Sequence, residues 1–189
     1  MKIMSDTVKM IAVLTIVGLI SGGFLTFVYE QTISKAERKS LESLRKAIFV
    51  VLPEAVDYQE LKLADQILYQ GIDKSGQKVG LAFLVEGSGF QGKIEIMVGV
   101  DQDLSRLQNI QVLESVETPG LGGKITDQEF QDQFKGIAAR PKITYVRNRN
   151  PVTPKKPGEI DAITGATISS KAVADMINKE IVRVWEALQ

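Results

Sequence analysis

The stretch Asp161-Ala162-Ile163-Thr164-Gly165-Ala166-Thr167-Ile168-Ser169-Ser170 gathers four hydroxyl side chains around a single glycine. Apolar residues then recur at Ile168, Ala172, Val173, Met176, Ile177, Ile181, Val184 and Leu188, which is a helical period. The hydroxyls therefore stand at the start of a helix. Unpaired backbone N–H groups and the positive end of the helix dipole favour an anion there, and Gly165 lets the main chain approach it closely. A phosphate bound or linked at Thr167 is well placed. The competing reading is an ordinary helix cap, for which Ser and Thr are favoured residues.

A second constellation is Glu117-Thr118-Pro119-Gly120-Leu121-Gly122-Gly123-Lys124. Its glycines leave N–H groups exposed and little side-chain bulk, so a flat aromatic ring can lie against the backbone while Leu121 packs on its face. Taken alone it also reads as a strand-to-helix connection. The pairing with the later hydroxyl cluster is what favours a binding site.

Composition narrows the chemistry. The 189 residues include no cysteine and no histidine. That excludes a disulfide scaffold, cysteine-ligated iron–sulfur clusters, histidine-ligated haem or zinc, and Ser/His or Cys/His nucleophiles. No metal site is expected, and redox chemistry would have to come from an organic cofactor. Lacking thiol and imidazole, a covalent flavin would need a hydroxyl attachment. With 23 basic and 23 acidic residues the net charge is zero, and no basic face argues for nucleic acid.

The elements that would position these residues begin with an apolar run. No charged residue occurs between Met10 and Tyr29, and a helix of that length spans roughly 30 Å at about 1.5 Å per residue, the thickness of a bilayer core. The expected organisation is an N-terminal segment 1–29 with a transmembrane helix at about 9–29, a helical stalk over 30–53, and a domain over 54–189. The run is longer than a signal-peptide core and lacks a clear cleavage pattern. Thr15, Gly18, Gly22 and Thr26 form one small-residue stripe that suits helix packing in a membrane. Lys2 and Lys9 precede the span, whereas Lys35, Arg38, Lys39, Arg45 and Lys46 follow it, so charge counting alone would leave the C-terminal domain in the cytoplasm.

Strand-like runs are expected at 66–72, 78–85, 93–100 and 107–113, on short connections that suggest an antiparallel sheet. A short helix over 126–134 would open with the capping box Thr126-Asp127-Gln128-Glu129. A strand over 142–146 and a loop with Pro151, Pro154 and Pro157 lead to the hydroxyl segment. Arg147, Arg149, Lys155 and Lys156 give that loop a basic character, suited to solvent or to docking on an acidic face. The fold class is α+β.

With both motifs in this order behind an apolar anchor, the whole chain resembles the G subunit of the Rnf electron-transport complex. It is similar also to the C subunit of the sodium-translocating NADH:quinone reductase. The resemblance implies an FMN-binding domain on the extracytoplasmic or periplasmic side of the cell (inner) membrane, held by one span. It implies FMN joined by a phosphoester to Thr167, the second Thr of Thr164-Gly165-Ala166-Thr167, by a flavin transferase that takes FMN from FAD. By position, Asp161 and Thr164 would shape the turn the transferase recognises, and Gly165 and Ala166 would keep it uncrowded. Glu117, Thr118, Leu121 and Gly122 would border the isoalloxazine ring; Lys124 and Ser169 complete the cofactor-binding set. No residue is catalytic on a free substrate. Protons accompanying reduction would come from water, Lys124 or Glu117. Implied partners are the integral-membrane and redox subunits of an ion-translocating ferredoxin:NAD+ oxidoreductase complex. At Ser115 the chain departs from relatives that carry histidine. Open alternatives are a stand-alone membrane-anchored FMN reductase and a non-redox membrane adaptor.

Overall fold

The computed structural model describes residues 6–63, 66–150 and 152–189, apart from the side chains of Thr7 and residues 30–40. Lys2, Pro151 and the side chains of Lys35, Arg38 and Lys39 lie outside the described residues. The chain divides after Glu42 into two units. The first holds most of helix α1 (Asp6–Val51), within which Val8–Tyr29 is long and apolar enough to cross a membrane, with a mean hydropathy of 2.3. Thr15 and Thr26 donate their hydroxyls to the carbonyls of Ile11 and Gly22, one turn back, at 2.9 and 3.0 Å. These bonds let a polar group sit in an apolar run.

The second unit is built on five antiparallel strands in sequential order: β1 (Asp57–Leu63), β2 (Gln66–Ile72), β3 (Lys78–Ser88), β4 (Lys93–Val100) and β5 (Leu107–Ser115). Two-residue periodicity splits β3 and β4 between two cores. Leu81, Phe83, Val85, Ile94, Ile96, Val98 and Val100 point into one, and Ala82 and Met97 into the other. The smaller core is closed by the end of α1, through Ala47, Ile48, Val51 and Leu52. A Cβ on Gly99 would overlap the carbonyl of Val51, so glycine is what lets the helix end seat on the sheet. Asn109 Nδ2 donates to the Val50 carbonyl at 3.0 Å, taking up one of the acceptors that a helix end leaves open.

The larger core lies under helix α3 (Thr167–Ala187), which buries Val173, Ile177, Ile181 and Val184. Each such side chain contributes about 1.5–3 kcal/mol on burial. Ile168 and Leu188, assigned to the same apolar face from periodicity, are exposed: Ile168 turns off the buried face of Ser169, Ser170 and Val173 and lines an open cleft, and Leu188 follows the last helical residue. Between β5 and α3 come a 3-10 turn (Gly122–Thr126), helix α2 (Gln128–Asp132) and the parallel pair β6 (Thr144–Val146) and β7 (Glu159–Asp161). The expected helix over 126–134 is thus shortened to α2, with Thr126 ending the 3-10 turn before it. Its capping box does not form: Thr126 Oγ1 donates back to the Gly123 carbonyl at 2.8 Å, and Asp127 makes no side-chain cap.

Candidate functional site

The turn before α3 is set by glycine. The Ala166 N–H donates to the Ile163 carbonyl at 2.9 Å, and Gly165 at φ +82° takes the left-handed position that such a turn requires. Ser170 Oγ ties the same turn, accepting from the Ile163 N–H at 3.0 Å and donating to the Ala166 carbonyl at 3.1 Å. Ser169 Oγ donates to Glu117 Oε2 at 2.6 Å. The residue in the cap position is Ala166, so no side chain takes up the first N–H groups of α3. The ordinary-cap reading is therefore corrected. Ser169 and Ser170 are engaged elsewhere, and the half-buried Thr167, first in the helix, has no side-chain hydrogen bond among the described residues.

The loop after β5 approaches this terminus through Glu117, which is 6% exposed. Its Oε1 accepts from the Gln91 N–H at 2.8 Å, and the Phe90 and Gly92 N–H groups also face the carboxylate. Burial pushes the Glu117 carboxyl up, but hydrogen bonds from Ser169 and these three N–H groups outweigh it and hold the group below the usual glutamate range. Two glycines make room for it. A Cβ on Gly89 would overlap Oε1, and one on Gly122 would overlap Oε2 and lie 2.6 Å from Ser169 Oγ. Ser115 Oγ accepts from the Glu117 N–H at 3.3 Å.

Together these elements enclose a cleft of about 340 Å³ lined by Phe90, Glu117, Thr118, Leu121, Gly122, Gly165, Ala166, Thr167, Ile168 and Ser169. Its rim is apolar, with Phe90, Leu121 and Ile168 all at least half exposed. Of the residues singled out from sequence, eight meet here: Glu117, Thr118, Leu121, Gly122, Gly165, Ala166, Thr167 and Ser169. Lys124, Asp161 and Thr164 do not line this cleft and face a separate groove of about 300 Å³ with Asp127, Glu129, Phe130 and Gln133. Glu117, one of the expected proton sources, has both carboxylate oxygens engaged, Oε1 by the Gln91 N–H and Oε2 by Ser169. Phe90 and Ile168 were missed. The signal for Phe90 is Gly89-Phe90-Gln91-Gly92, an aromatic residue between glycines at the β3–β4 turn; Ile168 was assigned to the core.

Asp161 belongs to an internal ion cluster. Arg149 donates through Nε to Asp161 at 2.5 Å and through a terminal nitrogen to Glu159 at 2.9 Å, while Lys155 Nζ lies 2.9 Å from Asp161. Burial pushes the Asp161 carboxyl up, and hydrogen bonds from Lys155 and Arg149 more than offset that, leaving it below its ordinary value. Of the two roles open for the basic stretch, solvated loop or docking face, Arg149 takes neither, being 10% exposed in its side chain. It staples β7 to the preceding loop.

Comparison with known proteins agrees with this geometry. Residues 89–182, which contain the whole cleft, match the family model described as the FMN-binding domain. The G subunit of the ion-translocating oxidoreductase complex of Methanosarcina acetivorans is 31% identical, covering 94% of this chain and 96% of that one. The G subunit of the Na(+)-translocating ferredoxin:NAD(+) oxidoreductase complex of Acetobacterium woodii is 29% identical, covering 92% of this chain and 89% of its own. The crystal structure of NqrC from Shewanella oneidensis shares the fold, with a TM-score of 0.56 at 20% identity over 72% of this chain and 74% of that one. The chain belongs to the family of G subunits of ion-translocating oxidoreductase complexes.

Proposed function

We propose that this chain is the membrane-anchored flavoprotein subunit of an Rnf-type, ion-translocating ferredoxin:NAD+ oxidoreductase complex, with FMN linked to Thr167 by a phosphoester. The observation that carries the reading is the free Thr167 hydroxyl at the uncapped N-terminus of α3, inside the cleft. The residues present fit the group. The first N–H groups of α3 and its dipole suit a phosphate. Gly122 and Gly165 keep bulk off the lining, and Leu121, Phe90 and Ile168 offer apolar surface to a ring. Bound FMN would supply one- and two-electron transfer. The chain contributes placement: Thr167 fixes the phosphate end, Leu121 and Gly122 border the ring, and Glu117 braces the lining.

Val8–Tyr29 would anchor the domain, with the FMN on the extracytoplasmic face of the cell membrane. A covalent link is useful there because a noncovalent cofactor is lost to dilution once released. The expected partners are the integral-membrane and redox subunits of the complex, with a flavin transferase for maturation. Mass spectrometry of the Thr167 peptide from native membranes tests the link: an added FMN phosphoester supports it, and an unmodified peptide refutes it. Copurification of membrane subunits separates the complex from a stand-alone reductase.

A further inference from the structure

Glu117 is a buried carboxylate with no cation beside it among the described residues. Its partners are neutral donors from two separate elements: the β3–β4 turn through the N–H groups of residues 90–92, and α3 through Ser169. Both elements line the Thr167 cleft. Phe90 is 67% exposed, at the tip of a turn closed by the Gly89 N–H on the Gly92 carbonyl at 2.8 Å and tied to Glu117 through the Gln91 N–H. Gly89 and Gly122 leave no space for a Cβ beside the carboxylate, so the contact is built into the sequence on both sides.

We propose that Glu117 is a positioning residue, clamping the β3–β4 turn to the first turn of α3 so that Phe90 forms a wall against the cofactor ring and a negative charge without a cation partner faces it. This rests on the FMN reading above. A negative charge at the edge of a partly desolvated cleft opposes added electron density, so the clamp lowers the reduction potential of the bound ring. Neutral donors hold the carboxylate in place without cancelling its charge. That separates Glu117 from Asp161, whose charge is met by two cations.

The full chain in detergent serves for the test. Hydrogen–deuterium exchange on cofactor-free protein carrying Thr167→Ala reads the clamp alone. Adding Glu117→Gln is expected to speed exchange of the amides at 90–92 several-fold while β4 and the C-terminal half of α3 stay protected. In FMN-loaded protein, Glu117→Gln shifts the midpoint potential upward. Glu117→Asp, which keeps the charge on a shorter arm, retains the low potential but loses the exchange protection. Phe90→Ala, at an exposed tip where folding is not at risk, raises iodide quenching of flavin fluorescence several-fold. A purely structural glutamate would lower thermal stability and leave potential and quenching unmoved, which overturns the proposal. Should Glu117→Gln fail to fold, unchanged exchange in Glu117→Asp or unchanged quenching in Phe90→Ala overturns it instead. A parent chain without flavin mass on Thr167 defeats the functional reading, whereas the exchange experiment still judges the clamp.

Discussion

Asp161 and Glu117 flank the hydroxyl-rich segment and are satisfied in opposite ways. Asp161 is met by Arg149 and Lys155 at 2.5 and 2.9 Å, on the side of Thr164 and Lys124. Glu117 is met by a hydroxyl and backbone N–H groups, on the side of Thr167. The first arrangement neutralises charge and braces a loop. The second leaves a net negative charge next to an uncapped helix terminus. Residues of the one short segment 161–170 thus divide between the groove of Asp161 and Thr164 and the cleft of Thr167 and Ser169, and sequence proximity alone does not tell them apart.

The sharpest break between the two sides is a pair of threonine variants. Thr167→Ala is expected to abolish the fluorescent flavin band on a denaturing gel completely, whereas Thr164→Ala, exposed in the other groove, alters only the turn offered to the transferase and leaves a weaker band in folded protein matured with it. Equal loss in both would erase the distinction. Next in size is Gly122→Ala, which forces a methyl into the Glu117 carboxylate and Ser169; it should cost about 1–3 kcal/mol in chemical denaturation, as overpacking does. Arg149→Ala probes the opposite side. It leaves Glu159 and Asp161 without their shared cation and should cost about 1–2 kcal/mol, since both carboxylates keep some contact with water.

A pH series compares the carboxylates directly. Both are held below their ordinary carboxylate values, Glu117 by Ser169 and backbone N–H groups and Asp161 by Lys155 and Arg149. Their stabilisation is therefore full above those values and is lost as pH falls through the lower, folded ones. Glu117→Gln should flatten the acid limb of a thermal-melt series below pH of about 4. Asp161→Asn should flatten it as well, and a limb unchanged in both variants would remove these groups from the acid transition. Smallest is Ile168→Ala: the residue is 56% exposed, and the melting curve should shift by less than about 0.5 kcal/mol.

Much of this frame was legible in the residues. Strands β2 and β4 run over the expected limits, because their apolar residues are buried and their ends are marked by turn residues. Strand β1 escaped notice because Asp57–Leu63 is a polar edge strand with no fully buried side chain, so it carries no alternation to read. Strand β7 has three residues and a parallel partner far earlier in the chain, which local pattern cannot announce. The capping box at Thr126 matched in spelling, but the chain turns there in a tighter helix and the threonine bonds backwards. At the site, the two motifs were found because glycine and hydroxyl types are informative in themselves. The turn bearing Phe90 was missed because it meets Glu117, 27 residues later, only through the β4–β5 pairing that sets Ile94 opposite Ser115.

The seating of the last turns of α1 against Gly99 sets a limit on how the protein can be shortened. Ala47, Ile48 and Val51 of the long N-terminal helix, with Leu52 just past its end, are interior residues of the sheet domain. A water-soluble version made by trimming the apolar run must begin no later than about Ser43. One that starts at β1 would bare the Met97 and Ala82 side of the sheet and aggregate, whatever the state of its flavin.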